Sequence, residues 1–180
     1  MSHTFTGTIA APVIVGADKS DVFLVRHGYS EFNALHSQMK NDQGVADHKS
    51  QVWFDLKSNP DLCDPNLHEI GVQQCAENAH QVHALNVTRI FVSPMQRALQ
   101  TCIHMFKNHP NKSTLKITVM PLVHEYFHTS NDIPADVELV LKKYAPGESI
   151  CEGLLFDFSA LLECAIPQLW CVYALTNVER

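Results

Sequence analysis

Apolar residues along this chain fall alternately into short continuous runs and into stripes at helical spacing. Asp21-Val22-Phe23-Leu24-Val25 is a compact apolar run that ends at Arg26-His27-Gly28, which predicts a buried strand followed by a loop. Ser30 is a good helix cap, and the pattern after it predicts a helix to about Met39 with Phe32, Leu35 and His36 on one face. Residues 41–66 are polar, carry Pro60 and Pro65, and read as an excursion. Leu67, Ile70, Cys75, Ala79, Val82 and Leu85 return near helical spacing and predict a second helix. Arg89 to Val92 predicts a second buried strand. A helix opening at Pro94 follows it, with Met95, Leu99, Cys102, Ile103 and Phe106 inward. Leu115 to Met120 predicts a third strand, and residues 135–145 and 153–165 predict helices. Strands separated by helices make an α/β layered fold with a mostly parallel sheet.

In such sheets ligands bind beyond the carboxyl ends of the strands. Three chemically rich clusters fall there: Arg26-His27-Gly28, Ser93 to Arg97, and Pro121 to Glu125. Two basic groups side by side at a strand end repel each other unless an anion lies between them. A guanidinium can clamp two phosphate oxygens in a planar fork. A neutral imidazole nitrogen can attack phosphorus. Gly28 lets backbone N–H groups approach a phosphate, and a helix starting at Ser30 adds its positive end. Arg97 falls in the first turn of a helix, where a cation is unfavourable unless an anion is bound beside it. A carboxylate next to a bound phosphate, as Glu125 would be, is expected to hold a proton and give it to a leaving oxygen.

Composition narrows the classes. The 180 residues are 46% apolar and 18% charged, enough for a packed core. The net charge of −6 argues against a general nucleic-acid binder, while leaving room for a local anion pocket. No apolar stretch of about 18 residues is present, so no membrane partner is expected. Residues 1–20 lack the basic start of a secretory signal and read as a tail with a short edge strand. The six cysteines form no C-x-x-C pair and read as reduced thiols in a cytoplasmic protein. His80 and His83, and His124 and His128, have the spacing of metal-ligand pairs but no third ligand, so no metal is expected there.

Taken together these residues resemble the histidine phosphatase superfamily, the phosphoglycerate-mutase-like proteins. Val22 to Asn33 is similar to the family's apolar strand, R-H-G and trailing S-x-x-N. Asp64 to Gln74 is similar to D-x-x-L-x-x-x-G-x-x-Q, and Ser93 to Thr101 to S-P-x-x-R-A-x-Q-T. The segment ending in Glu125 is similar to the family's post-strand acid. The resemblance implies a three-layer sandwich over residues 21–180, with helices on both faces of the central sheet. It implies His27 as the phosphate-accepting nucleophile, Arg26 and Arg97 as the clamp, Glu125 as proton donor, and Ser30 and Asn33 as pocket contacts. The reaction would be phosphoryl transfer through a phosphohistidine with no cofactor, on a small phosphorylated substrate or a phosphoprotein.

One departure stands out. The family carries a second histidine, in an H-G near the C-terminus, and no histidine follows His128 here. Two explanations compete. In the favoured one, the chain stops before that strand. In the other, Leu169 to Leu175 is the strand and Asn177 stands in the histidine's place. The functional expectation is a phosphatase. The alternatives are an impaired phosphate-binding pseudoenzyme or fragment and, less favoured, a phosphomutase, which must keep water from its phosphohistidine. These 180 residues alone are expected to be poorly stable and nearly inactive, with an open apolar sheet edge.

Overall fold

The computed structural model describes residues 14–15, 22–43, 50–123 and 125–164. β1 (Ile14–Val15) and β2 (Leu24–Val25) pair antiparallel as a separate two-stranded ribbon. Ser30 then begins α1 (Glu31–Gln43), its hydroxyl accepting from the Asn33 N–H at 3.3 Å. The 41–66 excursion is not featureless: it holds α2 (Gln51–Ser58) and a single 3₁₀ turn at Pro60–Leu62. Ser50 caps α2 by accepting from the Trp53 N–H. Trp53, Leu62 and Phe32 form a small second core there.

The main body follows. α3 (Glu69–His83) packs against α4 (Gln96–Phe106), and β3 (Arg89–Val92) lies between them in sequence. After α4 come β4 (Lys116–Val119), α5 (Val137–Lys143), β5 (Phe156–Asp157) and α6 (Ser159–Glu163). The three later strands form one parallel sheet in the order β3-β4-β5. Alternation along the strands sets its faces. Val92, Ile117, Val119 and Phe156 point into a core shared with Leu99, Ile103 and Met105 of α4. On the other face Phe91 is 55% exposed, beside exposed Arg89. The chain is therefore mixed α/β with a parallel sheet, as its pattern predicts.

Three expectations change. The run at Val22–Val25 is not buried: Leu24 is 66% exposed, because its ladder partner is β1 and no described layer covers it. The helix expected at 153–165 is a strand first and a helix second, since Phe156 pairs with Ile117 before α6 begins. The helix expected from Pro94 starts at Gln96, where its first free N–H finds a carboxylate, Oδ1 of Asp64, at 2.8 Å. The five described cysteines are free thiols, and burial pushes the Cys102 thiol up to about 12. No helix among the described residues is long and apolar enough to cross a membrane. The N-terminal tail apart from β1, His124, and the Leu169–Leu175 and Asn177 readings lie outside the described residues.

Candidate active site

The loop from Arg26 to Ser30 lies across the N-terminal part of α3. Ser30 and Leu67 bridge antiparallel, the His68 N–H donates to the Tyr29 carbonyl at 2.9 Å, and the Glu31 N–H donates to the Asn66 carbonyl at 3.0 Å. This approach is too close for any side chain at position 71. A Cβ on Gly71 would sit 2.1 Å from the Tyr29 carbonyl oxygen, and one on Gly28 would sit 2.9 Å from the Gly71 carbonyl oxygen. Two glycines therefore let a loop and a helix touch backbone to backbone.

Side chains from α3 and α4 then fasten the loop. The Gly28 N–H donates to the Thr101 hydroxyl at 3.0 Å, and that hydroxyl donates to the Arg97 carbonyl at 2.7 Å. The Tyr29 N–H donates to Gln74 Oε1, and the Ser30 N–H to Asn33 Oδ1, both at 3.0 Å. The backbone donors expected to face a phosphate are thus committed to protein acceptors. Ser30 is fully buried and its hydroxyl donates to Asn33 Oδ1, so this pair forms the start of α1. Charge neutralisation at the site falls to side chains.

His27 sits at the middle of this arrangement. Its Nδ1 lies 2.7 Å from the Gly28 carbonyl oxygen. A carbonyl only accepts, so Nδ1 carries the proton and Nε2 keeps the lone pair. Burial, with the nearby Arg97 and Arg26 charges, lowers the ring's pKa to about 4 against the opposing pull of the Gly28 carbonyl and Glu125. Arg97, Arg26 and Glu125 therefore all stand near enough to His27 to act on its charge. Arg26 and Glu125 are exposed, whereas Arg97 is 3% exposed. The imidazole is therefore neutral through the whole physiological range, with the Nε2 lone pair available.

The unfolded ring takes up a proton near 6.5 and the folded one near 4, so His27 contributes to a loss of stability as pH falls through that window. If His27 accepts phosphate, its labelling rate from a phosphate donor should hold down to about pH 5 and halve near pH 4. A rate that halves between about pH 6 and 7, the range of an unshifted imidazole, would contradict the burial of this ring.

A turn at 129–132 holds Arg97. Its Nη1 donates to the Asn131 backbone carbonyl and, at 3.3 Å, to Asn131 Oδ1, while Nη2 donates to Asp132 Oδ1 at 3.0 Å. The pattern along the chain did not single out Asn131 or Asp132. The readable signal was Thr129-x-x-Asp132, the spacing of a capping box, which the structure forms. In the sequence Asp64 stands only at the start of the D-x-x-L-x-x-x-G-x-x-Q segment. Fully buried at φ +43°, it holds both the Gln96 N–H and, at 3.1 Å, the Ala135 N–H. Burial raises its pKa against those two bonds. Gln100 reaches the Leu67 N–H, Asn66 and the Tyr144 hydroxyl, so the motif's glutamine ties α4 to the loop before α3. His83 is committed to the Met105 carbonyl and His80 to that of Glu77.

Residues 58–129 match the model of the histidine phosphatase superfamily (branch 1). The matched stretch includes Asp64, Gly71, Arg97 and Glu125 and begins after His27. No curated protein matches the chain.

Proposed function

We propose that this chain, whose residues 58–129 match the model of the histidine phosphatase superfamily, is a phosphomonoester hydrolase working through a phosphohistidine on His27. The observation that carries this reading is His27 itself: a neutral ring with Nδ1 fixed on Gly28 and Nε2 unprotonated, with Arg97 and Arg26 near enough to act on its charge. Nε2 attacks phosphorus as the ester P–O bond breaks, and the departing oxygen takes a proton from Glu125. Water, giving a proton back to Glu125, then cleaves the N–P bond and releases phosphate. Arg26 and Arg97 bind the phosphoryl oxygens throughout, the charge neutralisation that phosphoryl transfer demands. The substrate is a small phosphorylated molecule or a phosphoprotein, and no cofactor takes part.

The mutase reading differs in what reaches the phosphohistidine. Exposed Glu125 and Arg26 leave the site open to water, which favours hydrolysis. The test is a generic phosphomonoester with wild type and Arg97→Ala. Loss of the buried guanidinium is expected to weaken phosphate binding by about 1.5–3 kcal/mol, the range for charge-assisted hydrogen bonds. Equal phosphate affinity in the two proteins would remove Arg97 from the site.

A further inference from the structure

Arg97 does not stand alone in the site, and the residue that holds it is not an anion from outside. Three of its five N–H donors go to one turn: two to Asn131 and one to Asp132. Nε–H and one Nη2–H have no acceptor among the described residues. The Asp132 carboxylate is itself held on both oxygens. Oδ1 receives Arg97, while Oδ2 receives the His128 N–H at 3.2 Å, the Thr129 N–H at 3.1 Å and the Thr129 hydroxyl at 3.2 Å. The Thr129 hydroxyl in turn accepts from Asn131 Nδ2.

We propose that Asp132 is a positioning residue for phosphate binding: the 129–132 turn fixes the guanidinium so that its two remaining donors face the anion beside His27. This rests on the reading of Arg97 as a phosphate ligand. Several observations carry it. All four donors around Asp132 require acceptors on both of its oxygens, which a carboxylate supplies and an amide does not. The pair is almost wholly buried, with side-chain exposures of 3% and 6%, so little room is left for the arginine to reorient. A guanidinium held by three bonds presents its last donors without having to be ordered by the ligand, which is how preorganisation strengthens binding. The same carboxylate cancels part of the arginine's charge, so the site gains direction at the expense of net attraction.

The experiment is binding of inorganic phosphate by calorimetry to wild type, Asp132→Asn, Arg97→Ala and the double variant, with a thermal melt of each. Asp132→Asn places an N–H₂ either against the His128 and Thr129 donors or against Arg97. It is expected to weaken phosphate about tenfold, within the span of a charge-assisted bond. In the Arg97→Ala background the same change should have no further effect, because Asp132 acts only through the guanidinium. A merely structural role would add to the loss in both backgrounds. Unchanged or tighter binding by Asp132→Asn, with Arg97→Ala still weakened, would overturn the proposal and leave the site intact. Phosphate affinity unaffected by Arg97→Ala would instead overturn the anion site and the proposal with it. If Asp132→Asn does not fold, Asp132→Glu keeps both acceptors and displaces them by one methylene. A smaller loss that again vanishes without Arg97 is expected, and wild-type affinity would count against the proposal.

Discussion

Asn in place of His27 should abolish covalent phosphate on the protein. A phosphate donor is expected to leave an acid-labile, base-stable label on the wild type, the signature of a phosphorylated imidazole. His27→Asn keeps a side chain of similar reach but has no basic nitrogen to attack phosphorus. Removing a nucleophile that acts as a unit with its neighbours costs about 10⁴–10⁶ in rate, so turnover should fall to background. The fold should tolerate the change, because His27 is only partly buried and its one hydrogen bond is to the adjacent residue's carbonyl. Label that survives His27→Asn would place the nucleophile elsewhere and remove the reading of this loop.

The other large effect is expected at a residue with no chemistry. In Gly71→Ala the added methyl would lie 2.1 Å from the Tyr29 carbonyl oxygen and 2.8 Å from the Tyr29 nitrogen, both backbone atoms. No rotamer relieves a Cβ, so either α3 or the 26–30 loop must move. Overpacking of this kind costs about 1–3 kcal/mol. Movement of the loop breaks the bonds of Gly28 to Thr101 and Tyr29 to Gln74, which hold His27 in place. Gly71→Ala is thus expected to lower the melting temperature and to slow His27 labelling together. A wild-type melt with wild-type labelling would show that the loop and helix do not meet as described.

Much of this was legible from residue order because it depends on local rules. Amphipathic spacing locates α3 and α4, and the hydroxyl of Ser30 marks the start of α1. Other features depend on partners distant in sequence. Leu24 and Val25 have the composition of buried strand, but burial is decided by what covers a strand, and their ladder runs to β1. Phe156 and Asp157 are too few to show a period, and only pairing with β4 makes them a strand. At the candidate site, Arg26, His27 and Arg97 could be singled out from strand ends and helix starts, and the structure sets both arginines near enough to His27 to act on its charge. Which donors are already spent could not be read, since Thr101 and Gln74 take the Gly28 and Tyr29 N–H groups from 73 and 45 residues away, whereas Asn33 takes that of Ser30 locally. The pairing of Arg97 with Asp132 is hidden for the same reason: the capping-box spacing marks the turn, but the two residues stand 35 apart.

The Thr101 hydroxyl accepts from the residue after His27 and donates to the carbonyl of Arg97. One oxygen thereby sets the distance between the loop that carries the imidazole and the helix turn that carries the guanidinium. Because β2 belongs to a different ladder from β3, no sheet among the described residues registers these two parts against each other. Opening of the first turn of α4 and release of the Gly28 amide to solvent would then be one event. Deuterium uptake at Gly28 should therefore track uptake along the start of α4 rather than along the β1–β2 ribbon, making this loop, in its fluctuations, a part of the helix layer.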